Sequence, residues 1–583
     1  LKTGHLRLVA IVFSWKIRLC RGADLPVRPT CHSLRIQKIS RRLIDSTLAA
    51  GHGRDKRRGT RMDARETADD TIDWGPFGRP IFNDPKARAL SRVGVIDVGS
   101  NSVRLVIFDG AARSPAYFYN EKIMAGLGAG MAESGRLNPE GRVRALSAIR
   151  RFVALAKGLD IGPLTAVATA AVREADDGPE FRDDVLRETG LKIWVIDGQE
   201  EARLSAQGVL LGWPGSYGLV CDIGGSSMEL AVLLEGRVGR RVTSGLGPLK
   251  LREMTSKKKR RAFIKDTVDD LFTKMGEETG KRLFLVGGSW RAIARIDMER
   301  RGYPLTVLHE YRMTPGRVSK TLKYIEQSDL SELRTRCNIS DSRMSLVPYA
   351  VHVLRDVVAR FKPKDIAISS YGIREGMLYE QMPSELRERD PLIEACRFAE
   401  AKDARLPGFG RTLYYFVMPL FGRASAQRKR IIRAACLLHD VSWRAHPDYR
   451  HEVVFDNATR ANLGGLKHSE RVFLGIALLH RYTNKSDGSR FEPLFGLLDP
   501  HDQRSAEVLG KAMRLGAMLW IKADEQPGTL KYSAKSDQLE LILKEAASPL
   551  FGEVARARLD SLAASLGADV TVRVKGARRV KAD

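Results

Sequence analysis

The sequence lacks the cysteine patterns of zinc-binding and disulfide-rich domains. Its 583 residues include six cysteines, and no two of them form a Cys-x-x-Cys pair. This excludes a zinc knuckle and a dense disulfide framework. Unpaired cysteines are typical of reducing compartments, so we expect a cytoplasmic protein.

Long apolar runs are also missing. The longest one near the start, from Leu8 to Trp15, has eight residues, whereas a helix that crosses a bilayer needs about 20. We therefore expect no membrane anchor. With 43% hydrophobic and 29% charged residues, the composition is that of a protein with several folded domains.

Acidic residues are scarce relative to basic ones, with 70 Asp and Glu against 97 Lys and Arg and a formal charge of +27. Residues 1–61 hold fifteen of the basic residues against three acidic ones and show no helix or strand period. Because the chain begins with Leu1 while Met62 opens an ordinary acidic stretch, we expect 1–61 to be a non-native or disordered extension from a start site assigned too far upstream. A signal peptide is the alternative, but Lys16 and Arg18 follow its apolar stretch at once. The remaining chain is still basic, which predicts an anionic substrate or partner.

A repeat is the most informative feature of the chain. Residues 95–105 and 220–230 match at an offset of 125, so that Asp97 corresponds to Asp222 and Gly99 to Gly224. Each copy predicts a β-hairpin in which a strand ends in Asp and turns through Gly and Ser. Such a turn offers backbone N–H groups to a phosphate and a carboxylate to its metal ion. An ordinary Gly/Ser turn is the alternative for either copy alone, and the duplication disfavours it.

Around the repeat the predicted elements alternate between helix and strand, which favours an α/β fold. The expected elements are a helix from Asn138-Pro139 to about Lys157, a strand Leu164 to Val172, a helix Pro179 to Thr189, a strand Ile193 to Ile196 and a helix Gln199 to Leu211. Two further glycine turns follow apolar strands, at 286–289 and at 370–376.

These motifs resemble the exopolyphosphatase / guanosine pentaphosphate phosphatase family, which has the actin, sugar kinase and Hsp70 ATPase fold. The matching segments are residues 96–102, 168–174, 198–203, 222–229, 286–289 and 370–376. The resemblance implies an α/β protein with two actin-like (RNase H-like) domains and an all-α C-terminal HD-like region. We place actin-like domain I at 92–201, domain II at 202–385, a helical HD-like domain at 386–500 and a small C-terminal domain at 501–583. One departure is Ser226, where the family usually has glycine; if that position needs a positive φ, the turn is reshaped.

Two adjacent acids, Glu200 and Glu201, are the candidates for the catalytic base. Neighbouring residues on a helix point in different directions. Asp197 is a plausible N-cap and Glu200 can close a capping-box-like turn, which leaves Glu201 for the cleft. The resemblance likewise implies that the second Glu is the catalytic base. The alternative is that both are solvated acids favoured by the helix dipole.

The remaining site residues would bind phosphate or a metal ion. Hard carboxylate ligands suit Mg²⁺, and arginines can make charge-assisted bonds to phosphate oxygens. For the metal we predict Asp97, Asp222 and Glu229, with turn-capping as the alternative for the two aspartates. By resemblance Arg173 is expected in the catalytic set, and the phosphate-binding set is expected to be Gly99, Ser100, Asn101, Ser102, Arg104, Gly224, Gly225, Ser226, Ser227, Gly287, Gly288, Ser289 and Arg374. For Arg374, simple pairing with an acid at a domain interface is the alternative.

The last two hundred residues are predicted to be mainly helical, and His439-Asp440 resembles the HD phosphohydrolase motif. A working HD metal site needs a further His upstream, and none occurs between 386 and 438. We therefore expect His439 and Asp440 to be structural remnants; an active metal centre is the alternative. Basic clusters at 257–261, 428–430 and 578–579 could line a track for a long polyanion or be ordinary solvated surface.

Together these features predict a Mg²⁺-dependent exopolyphosphatase that releases terminal orthophosphate from inorganic polyphosphate. Hydrolysis of guanosine pentaphosphate (pppGpp) is the first alternative, and a non-catalytic nucleotide-binding regulator is the second. We expect a homodimer with no membrane partner, and we do not expect nucleic acid as a ligand.

Overall fold

The structure is a computed structural model that describes most of the chain after residue 88. The described ranges are 89–162, 164–276, 282–484, 488–520 and 522–575, and all of them belong to one structural unit, Asp73–Asp583. The predictions for residues 1–61 lie outside the described residues. Among the described helices, none is both long enough and apolar enough to cross a membrane.

The first sheet has five strands, and helices lie between and after these strands along the chain. Its strands are β1 (Ala89–Val98), β2 (Val103–Ala111), β3 (Ser114–Ile123), β4 (Leu164–Ala168) and β5 (Ile193–Val195). The helices are α1 (Met131–Ser134), α2 (Pro139–Gly158), α3 (Ala170–Glu174), α4 (Gly178–Thr189) and α5 (Gly198–Gly212). The strand order is β3-β2-β1-β4-β5, in which β1, β2 and β3 are antiparallel while β4 and β5 continue parallel to β1.

The second sheet repeats this arrangement. Its strands are β6 (Gly218–Ile223), β7 (Met228–Leu234), β8 (Arg237–Ser244), β9 (Arg282–Val286), β10 (Arg312–Met313) and β11 (Asp365–Ile368). The order β8-β7-β6-β9-β11, with β10 added at the edge, matches that of the first sheet. The helices are α6 (Pro248–Glu253), α7 (Lys257–Met275), α8 (Gly288–Arg300), α9 (Pro315–Gln327), α10 (Leu330–Arg336), α11 (Asp341–Met344), α12 (Val347–Phe361) and α13 (Ile373–Gln381).

Most predicted elements of the first α/β segment lie within a residue or two of the observed ones. The Asn138 side chain caps α2 by accepting a hydrogen bond from the Gly141 N–H at 2.8 Å. The strand predicted up to Val172 is wrong at its end, because β4 stops at Ala168 and α3 begins at Ala170. An apolar run alone does not distinguish a buried strand from a buried helix, and the alanines of this segment favour the helix.

Helices α5 and α13 pack backbone against backbone and join the two sheets. A Cβ added to Gly376 would lie 1.7 Å from the Leu204 carbonyl oxygen, and one added to Gly208 would lie 2.2 Å from the Gly372 carbonyl oxygen. Only glycine permits so close an approach. Both helices belong to one hydrophobic core that also contains residues of β1 and β6. The packing therefore fixes the residues at the start of α13 relative to α5.

The C-terminal part is helical first and mixed later. Its helices are α14 (Ser384–Arg387), α15 (Pro391–Asp403), α16 (Phe409–Val417), α17 (Ala426–Leu438), α18 (Arg450–Arg460), α19 (His468–His480), α20 (Glu492–Phe495), α21 (Pro500–Gly516) and α22 (Glu553–Leu566), with 3-10 turns at Met418–Phe421 and Glu545–Leu550. A third sheet contains β12 (Gly528–Ser533), β13 (Gln538–Lys544) and β14 (Asp569–Lys575), in that order.

The third sheet corrects the prediction of an all-α C-terminal region. Leu539, Leu541 and Leu543 of β13 are buried while the residues between them are not. This period of two is the mark of a strand with one buried face. The buried leucines join the core that contains Leu559 and Leu562 of α22, so the sheet closes over the helices. The boundaries drawn at 201, 385 and 500 stay predictions.

The HD-like pair lies inside the helical part. His439 follows α17 and its Nδ1 is 2.8 Å from the Cys436 carbonyl oxygen. Asp440 is fully buried and accepts hydrogen bonds from the Arg405 guanidinium, the shortest at 2.6 Å. Each side chain thus has an internal partner, while the buried His439 Nε2 has none among the described residues. The prediction that they bind no metal stays a prediction.

Candidate active site

Two equivalent turns, one from each sheet, meet at a cleft. Gly99 donates its N–H to the Ser102 carbonyl oxygen, and Gly224 donates its N–H to the Ser227 carbonyl oxygen, both at 3.0 Å. Between these glycines and serines, the N–H groups at 100–101 and 225–226 make no backbone hydrogen bond to any other described residue. Such N–H groups are available to an anion.

The hairpin register places different charges at matching positions of the two sheets. Asp97 lies opposite Arg104 in the β1–β2 ladder, and Asp222 lies opposite Glu229 in the β6–β7 ladder. One hairpin therefore presents an acid beside a cation, and the other presents two acids.

The cleft has a volume of about 720 Å³, and most predicted site residues form its wall. These are Asp97, Gly99, Ser100, Asn101, Ser102, Arg104, Glu201, Asp222, Gly224, Gly225, Ser227, Gly287, Gly288, Ser289 and Arg374. Three predicted residues, Arg173, Ser226 and Glu229, do not line it. Glu229 is buried opposite Asp222 in the β6–β7 ladder, where it accepts a hydrogen bond from Thr243 Oγ1 at 3.1 Å. The role of each residue stays a prediction.

Glu201 lies in the first turn of α5 and lines the cleft. Glu201 is 5% exposed, and its Oε2 atom makes no hydrogen bond to the described residues. Arg173 Nη1 lies 3.7 Å from that oxygen while donating to the Ile196 carbonyl oxygen at 2.9 Å. Arg173 is therefore held by the backbone beside Glu201. Glu201 lines the cleft, and a carboxylate in that position can accept a proton from a bound water.

Glu200 has a different environment. Asp197 caps α5 by accepting the Glu200 N–H at 2.7 Å, as predicted. The prediction that Glu200 closes a capping-box-like turn is wrong, because the Glu200 carboxylate pairs with Arg203, at 2.6 Å and 2.8 Å. A guanidinium one turn along the helix offers a bidentate partner that a single backbone N–H does not. The pairing turns Glu200 away from the cleft.

The acids of the cleft raise one another's pKa. Burial, then Glu229 and Asp222, raise the pKa of Glu201 well above its usual range, while Arg173 opposes the shift. Burial and the neighbouring Asp222 raise the pKa of Glu229 to about 8. Burial also raises the pKa of Asp222, although Ser205 donates a hydrogen bond to it. A site in which carboxylates are this poorly compensated favours the binding of a cation.

The carboxylates fit a divalent cation whose coordination is completed by other ligands. Buried Oε2 atoms of both Glu201 and Glu229 have no hydrogen-bond partner among the described residues. Within the described part of the chain, these acids do not supply three ligand atoms within 4.8 Å of one another, so they form no all-protein cage. Mg²⁺ commonly takes one or two carboxylates and fills its octahedron with water and phosphate oxygens.

Sequence reasoning missed four cations and several polar residues of the cleft wall. The added cations are Lys122, Arg291, Arg295 and Arg343, and the polar residues include Asn120, Thr169, Asn338, Ser340, Ser342 and Ser370. Burial and the neighbouring Arg374 and Arg343 lower the pKa of Arg291. Burial and Arg104 lower the pKa of Arg343. These shifts are the sign of cations gathered without enough anions, which a multiply charged anion would relieve.

The third glycine turn joins these cations to the predicted site. Gly287 has φ +113°, and a Cβ there would lie 2.5 Å from the Ile223 carbonyl oxygen. Arg291 Nε donates to the Gly287 carbonyl oxygen at 3.0 Å. The Arg343 guanidinium covers Gly288, where an added Cβ would meet its Nη1 at 1.5 Å. Arg291 follows this turn in the sequence and could have been found there. Arg343 lies in α11, far along the chain from this turn, and no local sequence motif marks it as a cleft residue.

Ser226 fits its turn without strain. It is not among the described residues with a positive φ, so glycine is not required there for backbone conformation. The reshaping considered for this turn is therefore not needed.

The comparisons with known proteins match the motifs of the chain. Residues 106–385 match the Ppx/GppA phosphatase family, and residues 410–572 match the C-terminal domain of exopolyphosphatase. Retrograde regulation protein 2 of Saccharomyces cerevisiae is 27% identical over 446 residues, covering 69% of this chain and 74% of that protein. Exopolyphosphatase 1 of Mycobacterium leprae is 26% identical over 309 residues, covering 50% of this chain and 90% of that protein.

Among solved structures, an exopolyphosphatase from Cytophaga hutchinsonii is similar with a TM-score of 0.46 and 24% identity, over 50% of this chain and 97% of that one. From the matches along its sequence, the chain carries a Ppx/GppA phosphatase family domain followed by an exopolyphosphatase C-terminal domain, which confirms the family that its motifs resemble.

Proposed function

We propose that the chain is an exopolyphosphatase that removes the terminal orthophosphate of inorganic polyphosphate. The observation that carries the proposal is the composition of the cleft wall. Six cations line it against three carboxylates, and no aromatic side chain of a described residue does. A purine base is usually bound by stacking and by edge hydrogen bonds, whereas a phosphate chain needs only donors and positive charge.

In the proposed reaction Glu201 acts as the general base. Its free oxygen would take a proton from a water that attacks the terminal phosphorus in line with the bridging oxygen. The bond between that phosphorus and the bridging oxygen breaks, which releases orthophosphate and leaves a chain shorter by one phosphate. General base catalysis of this kind contributes about 10²–10⁴ in rate, and positioning and charge stabilisation supply the rest.

The turns and arginines would hold the phosphates. The N–H groups and hydroxyls of the two repeated turns suit the terminal phosphate, with Arg173 beside Glu201. Arg104, Arg291 and Arg343 also line the cleft and suit the phosphates that remain on the chain. In this arrangement the scissile bond would lie next to the acids.

A divalent cation is part of the proposal, with Mg²⁺ as the specific choice. Asp97, Asp222 and Glu229 would hold it, directly or through water. When bound, it supplies positive charge to the phosphate oxygens and keeps the carboxylates ionised.

The experiment measures phosphate release from four substrates by the wild-type chain and by Glu201→Gln. Long polyphosphate, tripolyphosphate, pppGpp and ATP are compared at equal concentration of terminal phosphate with Mg²⁺ present. We expect long polyphosphate to have the highest kcat/KM and Glu201→Gln to be inactive on it. Preference for pppGpp would favour the guanosine pentaphosphate alternative. Binding without release from any substrate would favour a regulator.

A further inference from the structure

The loop from Ser369 to Gly372 leads from β11 to α13 and forms part of the cleft wall. Ser370 and Gly372 line the cleft, and Arg374 follows in the first turn of α13. Unlike the repeated turns, this loop uses all four of its N–H groups internally. The acceptors, in chain order, are the Leu285 carbonyl at 2.9 Å, His309 Nδ1 at 3.2 Å, Ser369 Oγ at 3.1 Å and Glu375 Oε2 at 2.7 Å. The loop therefore positions other groups and does not itself donate to a phosphate.

His309 is the one acceptor that comes from a separate connecting segment. Its ring stacks on Trp213, at 4.3 Å between ring centroids, and lies 4.6 Å from the Tyr371 ring. Trp213 follows the last residue of α5, the helix that carries Glu201. His309 thus fills the space between the end of one catalytic helix and the loop that begins the other.

The imidazole of His309 is held in its neutral form. Since the Ser370 N–H donates to Nδ1, that nitrogen carries no proton. Burial, together with Arg471 and His468, lowers the pKa of His309 well below its ordinary value. His309 Nδ1 can therefore accept the Ser370 N–H across the physiological pH range.

Two contacts connect this arrangement to the C-terminal helical part. The Tyr371 hydroxyl donates to Asn462 Oδ1 at 3.0 Å, and His468 Nε2 lies 3.1 Å from the His309 carbonyl oxygen. A carbonyl oxygen only accepts, so Nε2 is the donor, and His468 Nδ1 accepts from the Tyr303 hydroxyl at 2.9 Å. Asn462 and His468 belong to the segment matched by the exopolyphosphatase C-terminal domain.

We propose that His309 and Tyr371 are positioning residues through which the C-terminal domain holds the 369–372 loop, and with it Arg374, in the geometry that the reaction needs. The proposal rests on the proposed hydrolysis for its kinetic readout. Neither side chain lines the cleft, so neither is expected to touch the substrate. Their effect would fall mainly on kcat, because misplacement of a charge-stabilising group weakens transition-state binding more than ground-state binding.

The first test compares His309→Asn with His309→Gln in the full chain. Both variants remove the ring, but an Asn side chain can place an oxygen near the position of Nδ1, whereas Gln extends toward that of Nε2. We expect His309→Gln to lower kcat on long polyphosphate about three- to tenfold, the worth of one lost hydrogen bond, with a smaller change in KM. His309→Asn should retain most of the activity. Equal losses in both variants would mean that only ring packing matters, and would overturn the proposal.

The second test removes the contact with the C-terminal domain. Tyr371→Phe deletes one hydroxyl, and Tyr415→Phe, at an exposed tyrosine of α16, is the matched control. We expect Tyr371→Phe to lower kcat and Tyr415→Phe to leave it unchanged. In the double variant with His309→Gln, kcat should fall by less than the product of the two single fold-decreases, because both residues act on one loop. If the two fold-decreases in kcat multiply, the two residues do not act through one loop. If Tyr371→Phe fails to fold, Asn462→Ala removes the same bond from the other side.

A third readout does not depend on turnover. Amide hydrogen exchange of the peptide containing residues 369–372 should accelerate in His309→Gln and Tyr371→Phe and stay near the wild-type rate in His309→Asn. Unchanged exchange would overturn the positioning role. A wild-type chain that releases no phosphate, but whose loop loses protection in these variants, would instead count against the proposed function alone.

Discussion

Arg374 Nη1 lies 2.9 Å from Asp97 Oδ2, which joins the first turn of α13 to the end of β1. Both side chains are mostly enclosed, at 12% and 21% exposure. The pairing is the interface role considered as the alternative for Arg374, yet it takes place inside the cleft, at an acid expected to bind the metal. Arg374 and a cation would therefore compete for Asp97 until a phosphate offers Arg374 another partner.

This competition predicts opposite effects of Arg374→Gln on metal binding and on turnover. Without the guanidinium, Asp97 loses its counter-charge, so the substrate-free protein should bind Mn²⁺ more tightly. The kcat on polyphosphate should fall about tenfold, because one charge-assisted hydrogen bond to the transition state is lost. Free Mn²⁺ in a titration, followed by electron paramagnetic resonance, measures the first effect. Arg317→Gln, at an exposed arginine of α9, is the control. Weaker Mn²⁺ binding in Arg374→Gln would contradict the competition.

Glu201→Gln should lower kcat by about 10²–10⁴ while leaving the melting temperature and substrate affinity nearly unchanged. The amide has the shape of the carboxyl group but accepts no proton from water. Glu200→Gln is the matched control, since that carboxylate pairs with Arg203 away from the cleft and such partly exposed pairs contribute little. Phosphate release and thermal melting are measured for both. Similar losses in the two variants would refute the assignment of roles.

The sequence was most informative where local pattern determines local geometry. The Asp-x-Gly turns of 97–99 and 222–224 carry their own conformation, so their two copies predicted both the duplicated sheets and the acids at the strand ends. The N-caps Asn138 and Asp197 were likewise predictable, because a cap satisfies groups two or three residues away.

What the sequence did not reveal depends on contacts between distant segments. Lys122 and Arg343 reach the cleft from β3 and α11, and neither stands in a motif. The third sheet was missed because its strands follow about 140 mainly helical residues, from 386 to 527. The partner of Arg374 was undecided, since an adjacent Glu375 offered an equally plausible local pair, but that carboxylate instead accepts hydrogen bonds from Gly372 and Tyr117.

Gly376→Ala should destabilise the protein by about 1–3 kcal/mol, the usual cost of forcing an extra methyl group into a packed contact. Its Cβ would lie 1.7 Å from the Leu204 carbonyl oxygen, so α5 and α13 would have to separate. Because these helices carry Glu201 and Arg374, activity should fall at temperatures where the variant is still folded. Gly422→Ala is the control: nothing lies within 4 Å of the added Cβ. Thermal melting and phosphate release compare the two, and a neutral Gly376→Ala would contradict the close packing.

Affinity for polyphosphate should fall as the pH rises above about 8. Enclosure of its ammonium group in the cleft, then the charges of Arg343, Arg104, Arg291 and Arg374, lower the pKa of Lys122 to about 8. A bound phosphate would raise that pKa again. Binding is therefore strongest below the pKa of the free protein and weakens as the pH rises through it.

The measurement is KM between pH 7 and pH 9.5 for the wild type and Lys122→Arg. A guanidinium stays charged over this range, so the variant should lose most of the alkaline rise in KM. An identical rise in both proteins would assign it to another group.

The basic cluster at the start of α7 should make the binding of long chains sensitive to salt. Lys257, Lys258 and Lys259 are exposed in the first turn of the helix, where the helix dipole disfavours cations, so helix stability does not explain them. The preceding helix α6 packs against the second repeated turn, since a Cβ on Gly225 would lie 2.9 Å from Leu249 Cδ1.

A long polyphosphate leaving the cleft on this side would contact the lysines and release counterions, as nucleic-acid backbones do. We expect tripolyphosphate, with only three phosphates, to contact the cleft alone. We therefore expect the logarithm of affinity to fall more steeply with the logarithm of salt concentration for long chains than for tripolyphosphate. Replacing the three lysines by Gln should flatten only the long-chain slope. Parallel slopes in the wild type would mean that the cluster is ordinary surface.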